Sequence, residues 1–243
     1  MNWIFPIAGF GTRTSKLGSY KPLIEIIPNY SIIKMCLLGL KSMFTKEDDL
    51  FFIVSEQQEA DHCVCKKINL IIKDLNLKNK VHVILLNKTP AGQALTLKEG
   101  IQKIPKKLLT KNTFVINSDQ VVFFDLDDVN LNFPSVGLYF NKGTKSCFYD
   151  LDVQQEKIKR IREKEKISCY AAAGVFYFPS IIQLDLCIDW AIQKNKFHNK
   201  ELFLGPCMGY FKQLNYFQTL IKFDLGNVKK IDLFKSFLKA VRE

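Results

Sequence analysis

Through its first 120 residues the chain alternates short apolar runs with helix-periodic segments, and this alternation constrains the fold more than any other feature. Trp3 to Ala8, Leu50 to Val54, Val81 to Leu86 and Thr113 to Asn117 read as buried strands. Between them lie a segment capped by Ser31 that runs to Met43, a long helix over Glu56 to Leu75, and a helix over Ala91 to Ile104 that stops before Pro105. Strands that alternate with helices call for a parallel sheet covered on both faces. After Asp119 the texture changes. Shorter strands are expected at Val136 to Phe140, Cys147 to Val153, Lys157 to Arg162 and Ala172 to Phe178. Helices follow at Ile181 to Lys194 and Pro206 to Leu214, then a strand at Leu220 to Asp224 and a closing helix over Lys229 to Val241. No low-complexity linker or internal repeat divides the chain, so the expectation is one mixed α/β domain over residues 1–243.

Composition narrows the class. Hydrophobic residues make up 47% and charged residues 24%, which argues against disorder and coiled coil. The net charge of +11 favours anionic partners of some kind: nucleic acid, a membrane surface or a phosphorylated metabolite. The densest basic run, Lys157 to Lys164, alternates isoleucine with charge and is interrupted by acids, as a half-exposed strand requires, so nucleic acid is not the expected partner. The closing helix is amphipathic and fits packing on its own sheet better than membrane anchoring. The uncharged run Ile167 to Leu184 is broken by Ser168, Tyr170, Pro179 and Ser180 and reads as a strand leading into a helix. The first twelve residues carry no charged side chain, so a secretory leader is not expected. Seven cysteines without framework spacing fit reduced thiols in the cytoplasm. His62, Cys63 and Cys65 cluster, but no second pair with zinc-ligand spacing follows, and no serine or cysteine sits in a nucleophile motif.

In open α/β sheets ligands bind beyond the carboxyl ends of the strands, so the polar residues at those ends matter most. Gly9, Phe10, Gly11, Thr12 and Arg13 follow the first strand. Glycines there let backbone N–H groups approach phosphate oxygens and Arg13 supplies a bidentate cation, although a strand-to-helix turn also uses glycine for geometry alone. Asn117-Ser118-Asp119 ends another strand, and its aspartate either caps a turn or holds a hard cation such as Mg²⁺ while substrate phosphates complete the shell. Phe223-Asp224-Leu225-Gly226 follows the last strand and offers a second carboxylate of the same kind.

Gly9-Phe10-Gly11-Thr12-Arg13, followed by Lys21-Pro22-Leu23-Ile24-Glu25-Ile26, resembles the opening signature of the sugar-phosphate nucleotidyltransferases, nearly end to end with the rest of the chain. The resemblance implies a GT-A-like, Rossmann-like α/β fold: a mixed, mainly parallel sheet flanked by helices, with an inserted antiparallel acceptor-binding part. It further implies a nucleotide-binding half over residues 1–120 and an acceptor-binding half with the closing helix over 121–243. Arg13 and Lys21 would be the catalytic cations. Ala8, Gly9, Phe10, Gly11, Thr12, Thr89, Gly92 and Ser118 would bind the nucleotide, with Thr89-Pro90-Ala91-Gly92-Gln93-Ala94 beside the base. Asp119, with Gln120 as neighbour, and Asp224 would hold Mg²⁺. Glu163, Lys164, Gly174 and Glu201 would meet the acceptor, Lys164 on its phosphate and Glu163 on its hydroxyls.

The chain departs from the family pattern at Ser118, Asn227 and Glu165, where glycine, threonine and proline are common; the last lies beside the acceptor pair. Asn117-Ser118-Asp119-Gln120 together with Ala173-Gly174-Val175-Phe176-Tyr177-Phe178 looks most like a bacterial surface-polysaccharide branch. The implied reaction joins a nucleoside monophosphate from a nucleoside triphosphate to a small phosphorylated acceptor, a sugar 1-phosphate first, with release of pyrophosphate. The acceptor could instead be the phosphate of an alcohol or amino-acid derivative in a cytidylyl transfer. A GT-A glycosyltransferase is a third reading, weakened because no Asp-x-Asp stands at Asp119; Asp125-Leu126-Asp127 has that spacing but reads as a solvated loop. A homo-oligomer stays open, and the absence of hexapeptide repeats after Asp224 argues against an appended acyltransferase domain.

Overall fold

The structure, a computed structural model, describes residues 1–9, 20–152 and 157–241. In chain order these form β1 (Asn2–Pro6), β2 (Glu25–Ile27), β3 (Tyr30–Ser31), α1 (Ile32–Leu40), β4 (Asp49–Ser55), α2 (Glu56–His62), α3 (Val64–Asp74), β5 (Lys80–Leu86) and α4 (Gln93–Ile101). The second half follows with β6 (Thr113–Ile116), β7 (Gln120–Phe123), β8 (Ser135–Phe140), β9 (Cys147–Asp152), β10 (Lys157–Glu163) and β11 (Tyr170–Phe178). The chain then runs through α5 (Ile181–Gln193), α6 (Leu204–Cys207), β12 (Asn215–Gln218), β13 (Ile221–Asp224) and α7 (Val228–Ala240).

A nine-stranded mixed sheet runs in the order β10-β9-β11-β6-β1-β4-β5, with β8 joined to β11 from the side and β12 pairing parallel to β8. β6, β1, β4 and β5 are mutually parallel; β11 reverses against β6, and β8, β9 and β10 continue antiparallel. This is the expected Rossmann-like arrangement with an antiparallel insertion. The period-2 alternation sorts side chains to the two faces. Ile4, Phe51, Ile53 and Val115 face the layer of α4 and α5, whereas Trp3, Phe5, Phe52 and Phe114 face that of α1 and α3. All seven residues of β4 are buried, as a strand covered on both faces must be. A smaller apolar cluster joins Ile231 and Phe234 of α7 to Val121 and Leu225, so the closing helix packs on its own chain.

Several expected elements differ. β1 ends at Pro6, two residues before Ala8. The long helix over Glu56 to Leu75 is broken at Cys63, whose φ of 50° is left-handed and closes α2 while opening α3. α4 begins at Gln93 rather than Ala91 because Gly92 has φ +103°, and it ends at Ile101. The Ser31-capped helix stops at Leu40 and tightens into a 3₁₀ turn over Lys41–Met43. The helix expected over Pro206 to Leu214 is instead the short α6 with a 3₁₀ turn at Met208–Tyr210, followed by β12. β2, β3, β7 and β12 carry no strand signal that the apolar pattern brings out.

Candidate active site

The exit of β1 is held from below. Ala8 is fully buried, while Gly9 is exposed with open space where a side chain would stand. Gln58 Nε2 donates to both the Ala8 and the Gly9 carbonyl at 3.0 Å. Gln58 itself is fixed as the third residue of the capping box that Ser55 sets at the start of α2. Phe10, Gly11, Thr12 and Arg13 lie outside the described residues. The chain returns at Tyr20, a buried ring whose hydroxyl donates to the Ile7 carbonyl and which stacks on His62 at 5.4 Å between centroids. That anchor sets the 3₁₀ turn Lys21–Leu23 beside the exit of β1, with Pro22 buried beneath it.

From that turn Lys21 Nζ reaches Asp119 Oδ2 at 2.5 Å. Asp119 lies in the turn between β6 and β7, after half-buried Ser118, and its Oδ1 accepts from Gln120 Nε2 at 3.0 Å. β7 pairs antiparallel with β13, opposing Gln120 and Asp224 in register, and Leu225 N–H donates to the Asp119 carbonyl at 2.8 Å. Asp224 Oδ1 accepts from Gly226 N–H at 2.7 Å, and its Oδ2 is bonded by Lys230 Nζ. A methyl group on Gly226 would stand 2.7 Å from Asp224 Oδ1 and 3.3 Å from Asp119 Oδ2, so both carboxylates border the space that glycine leaves open.

These residues fit a hard divalent cation. The donors are carboxylate oxygens, the chemistry Mg²⁺ selects, and the missing Cβ of Gly226 leaves a cradle between them. Gln120, 6% exposed, keeps its Oε1 without a hydrogen-bond partner among the described residues beside Asp119, a buried acceptor suited to a donor such as metal-bound water. Among the described residues no third His, Cys, Asp or Glu joins the pair, so the remaining ligands would be water and substrate oxygens.

The connection between β5 and α4 and the segment at Leu202 are clamped together, and Gln93 ties them to the exit of β6. Half-buried Thr89 occupies the connection between β5 and α4. Gly92 presses on Leu202: a Cβ there would lie 2.6 Å from the Leu202 carbonyl oxygen, and Ala94 N–H and Leu202 N–H bond across the contact. Gly92 is therefore demanded by packing whatever else it does. Gln93 Nε2 donates to Asn117 Oδ1 at 2.5 Å. Asn117 N–H in turn donates to the Gly174 carbonyl at 2.8 Å, and Gly174, at φ +83°, has Asn117 and Gln120 as the neighbours a side chain would strike. The contacts of Gly174 thus lie on the Asp119 side.

Glu163, Lys164 and Glu201 gather separately. Glu163 ends β10 opposite Cys147, and Lys164 follows in left-handed conformation with φ 56°. Its Nζ lies 4.3 Å over the Phe203 ring. A two-residue turn through Asn199 and Lys200, with φ of 49° and 65°, joins His198 to Glu201 by a pair of backbone bonds. Burial pushes the Glu163 carboxyl above its ordinary range; the Cys147 thiol and the Lys164 ammonium oppose this, and nearby Glu201 adds to it. The exposed Asp125 bonds Asp127 N–H at 3.0 Å in a local turn, matching the solvated-loop reading. The tertiary contacts of Gln58, Tyr20, Gln93 and Leu202 were not anticipated; Gln93 lies in a segment matched by motif, and the Ser55-x-x-Gln58 capping spacing is the sequence signal for Gln58.

No protein-family model matches the chain, and no curated protein matches it by sequence. Solved structures do. A nucleoside-diphosphate-sugar pyrophosphorylase from Vibrio cholerae RC9 superposes with a TM-score of 0.82 at 16% identity, over 96% of this chain and 99% of that one. The chain has the nucleotidyltransferase fold. CTP:phosphocholine cytidylyltransferase from Streptococcus pneumoniae shares that fold with a TM-score of 0.68 at 14% identity, over 98% of both chains. Inositol-1-phosphate CTP transferase from T. maritima shares it at 0.70 and 14%, over 100% of this chain and 96% of that one. Within the nucleotidyltransferase fold the residues matched by motif, Lys21, Asp119 and Asp224, sit together at the exits of β1, β6 and β13. No helix among the described residues is long and apolar enough to cross a membrane.

Proposed function

We propose that the protein is a Mg²⁺-dependent nucleotidyltransferase. It transfers a nucleoside monophosphate from a nucleoside triphosphate to a small phosphorylated acceptor, a sugar 1-phosphate first among them. The convergence of Lys21, Asp119 and Asp224 beside Gly226 carries this reading.

The chain's own residues divide the work. The Gly9 to Arg13 segment and Lys21 bind the triphosphate, and the Gln58 bonds to Ala8 and Gly9 hold the start of that segment in place. Lys21 leaves Asp119 for the phosphates once substrate enters, a short swing of an ammonium already at the site. Bound Mg²⁺, held by Asp119 and Asp224, supplies charge neutralisation at the reacting phosphates. Thr89 and Gly92 border the base, Ser118 the nucleotide, and Glu163, Lys164, Gly174 and Glu201 the acceptor. An acceptor phosphate oxygen then forms a bond to the α-phosphorus in line, and the bond from that phosphorus to the bridging oxygen breaks. Pyrophosphate departs with the electron pair, its charge met by Arg13 and Lys21. No protein nucleophile is needed.

A nucleotide sugar for a bacterial capsule or other surface polysaccharide is the product this reading points to, made in the cytoplasm where the seven thiols stay reduced. The test is a grid of the five nucleoside triphosphates against phosphorylated sugars, alcohols and amino-acid derivatives, scored by pyrophosphate released. Asp119→Asn should retain the fold and lose about 10²-fold or more of that release. A grid without a hit, or a fully active Asp119→Asn, rejects the assignment.

A further inference from the structure

The carboxylate pair is closed by two lysines from different parts of the chain. Lys21 stands on Asp119 Oδ2, and Lys230 bonds Asp224 Oδ2 while Gly226 N–H holds the other oxygen. The family resemblance accounts for Lys21 and gives no role to Lys230. The place of Lys230 is electrostatically unfavourable: with Lys229 it lies in the first turn of α7, the positive end of the helix, and no acid shares that turn. Asp224 is its ion-pair partner among the described residues. Asp224 also needs a counter-ion of its own, because its carboxylate faces that of Asp119 across Gly226 and Lys21 stands on Asp119. Lys230 is 46% exposed, and an ion pair that open to solvent is weak enough to exchange.

We propose that Lys230 is a displaceable counter-ion of this site and a further phosphate-binding residue. Its ammonium neutralises Asp224 in the empty protein, yields the carboxylate when a divalent cation arrives, and then faces the phosphate oxygens as a further cation alongside Lys21. The inference rests on the nucleotidyltransferase reading, and its test reads binding rather than turnover.

Mn²⁺ alone is titrated into the wild-type protein, Lys230→Met and Lys229→Met, with free Mn²⁺ followed by electron paramagnetic resonance. Inorganic pyrophosphate is then titrated into each Mn²⁺-loaded protein by calorimetry. Lys230→Met should bind Mn²⁺ about two- to fivefold more tightly, the range an exposed ion pair supports. The same variant, once loaded, should bind pyrophosphate at least about fivefold more weakly. Lys229→Met, which removes the same charge from the same turn, should change neither by as much, and all three proteins should melt alike. Unchanged or weaker Mn²⁺ binding in Lys230→Met, unchanged pyrophosphate affinity, or equal effects in Lys229→Met would overturn the proposal. A wild-type protein that binds no Mn²⁺ rejects the metal reading, and this inference with it. One that binds Mn²⁺ while Lys230→Met binds it no more tightly rejects the inference alone.

Discussion

Gln120 and Asp224 oppose each other in register across the β7–β13 ribbon, although the whole antiparallel half of the chain lies between them. This pairing brings the second carboxylate to the first. It also sets Gly226 between them, where its lack of a side chain keeps the space open.

Gly226→Ala therefore tests the pair with one methyl group. Asp224 has too short a side chain to move far from a carbon at 2.7 Å while keeping its bond to Gly226 N–H. Divalent-cation affinity, measured by titration calorimetry, should fall about tenfold or more, equivalent to about 1.4 kcal/mol. The melting temperature should move less than for a glycine packed on backbone, because the nearest atoms the added methyl meets are the Asp224 and Asp119 carboxylate side chains. Unchanged affinity would remove the carboxylates from the metal role.

Gln58→Leu probes the support beneath the first loop. It removes the donor to the Ala8 and Gly9 carbonyls and the side-chain half of the Ser55 capping box. Leaving the buried Ala8 acceptor unpaired costs about 1–3 kcal/mol, to be read from urea denaturation. Nucleotide KM should rise as well, since the loop start loses its tether.

Glu163→Gln isolates a buried charge. The folded-state pKa of Glu163 is raised, so the folded protein holds a proton there that the unfolded chain has lost. Stability contributed by this group is present at low pH and is lost as pH rises from the ordinary carboxylate range through the raised folded value. Melting temperatures measured across pH should show Glu163→Gln gaining on the wild type through that window and holding the gain at neutral pH. Parallel curves would contradict the raised pKa.

Gly92→Ala should destabilise the fold by about 1–3 kcal/mol, because φ +103° is strained for alanine and its Cβ strikes the Leu202 backbone. Chemical denaturation measures it, and loss of stability here should exceed that of Gly226→Ala.

The parallel half was legible because β1, β4, β5 and β6 are apolar runs of the right length, and Asp119 could be located from the end of β6 and Asp224 from the last apolar strand. The ribbon that joins those aspartates was not, because β7 is four residues starting with a glutamine that directly follows Asp119. The break at Cys63 left no trace either: cysteine carries no turn signal, and only its φ of 50° separates the two helices. The turn at Asn199 and Lys200 uses left-handed residues without the Asn-Gly pair that announces such turns. Gly92 and Gly174 were picked out by motif, yet what requires glycine at each is contact with Leu202 and with Asn117 and Gln120, a tertiary fact.

The clasp between Gly92 and Leu202 ties the connection between β5 and α4 to the backbone that carries Glu201. The two ends of the cleft therefore cannot be retuned separately by moving main chain. Under the proposed function, substrate preference would be retuned through the exposed side chains of Asn199, Lys200 and Glu201, while the hinge-like freedom a looser contact would give is forfeited in favour of a fixed span between the two segments.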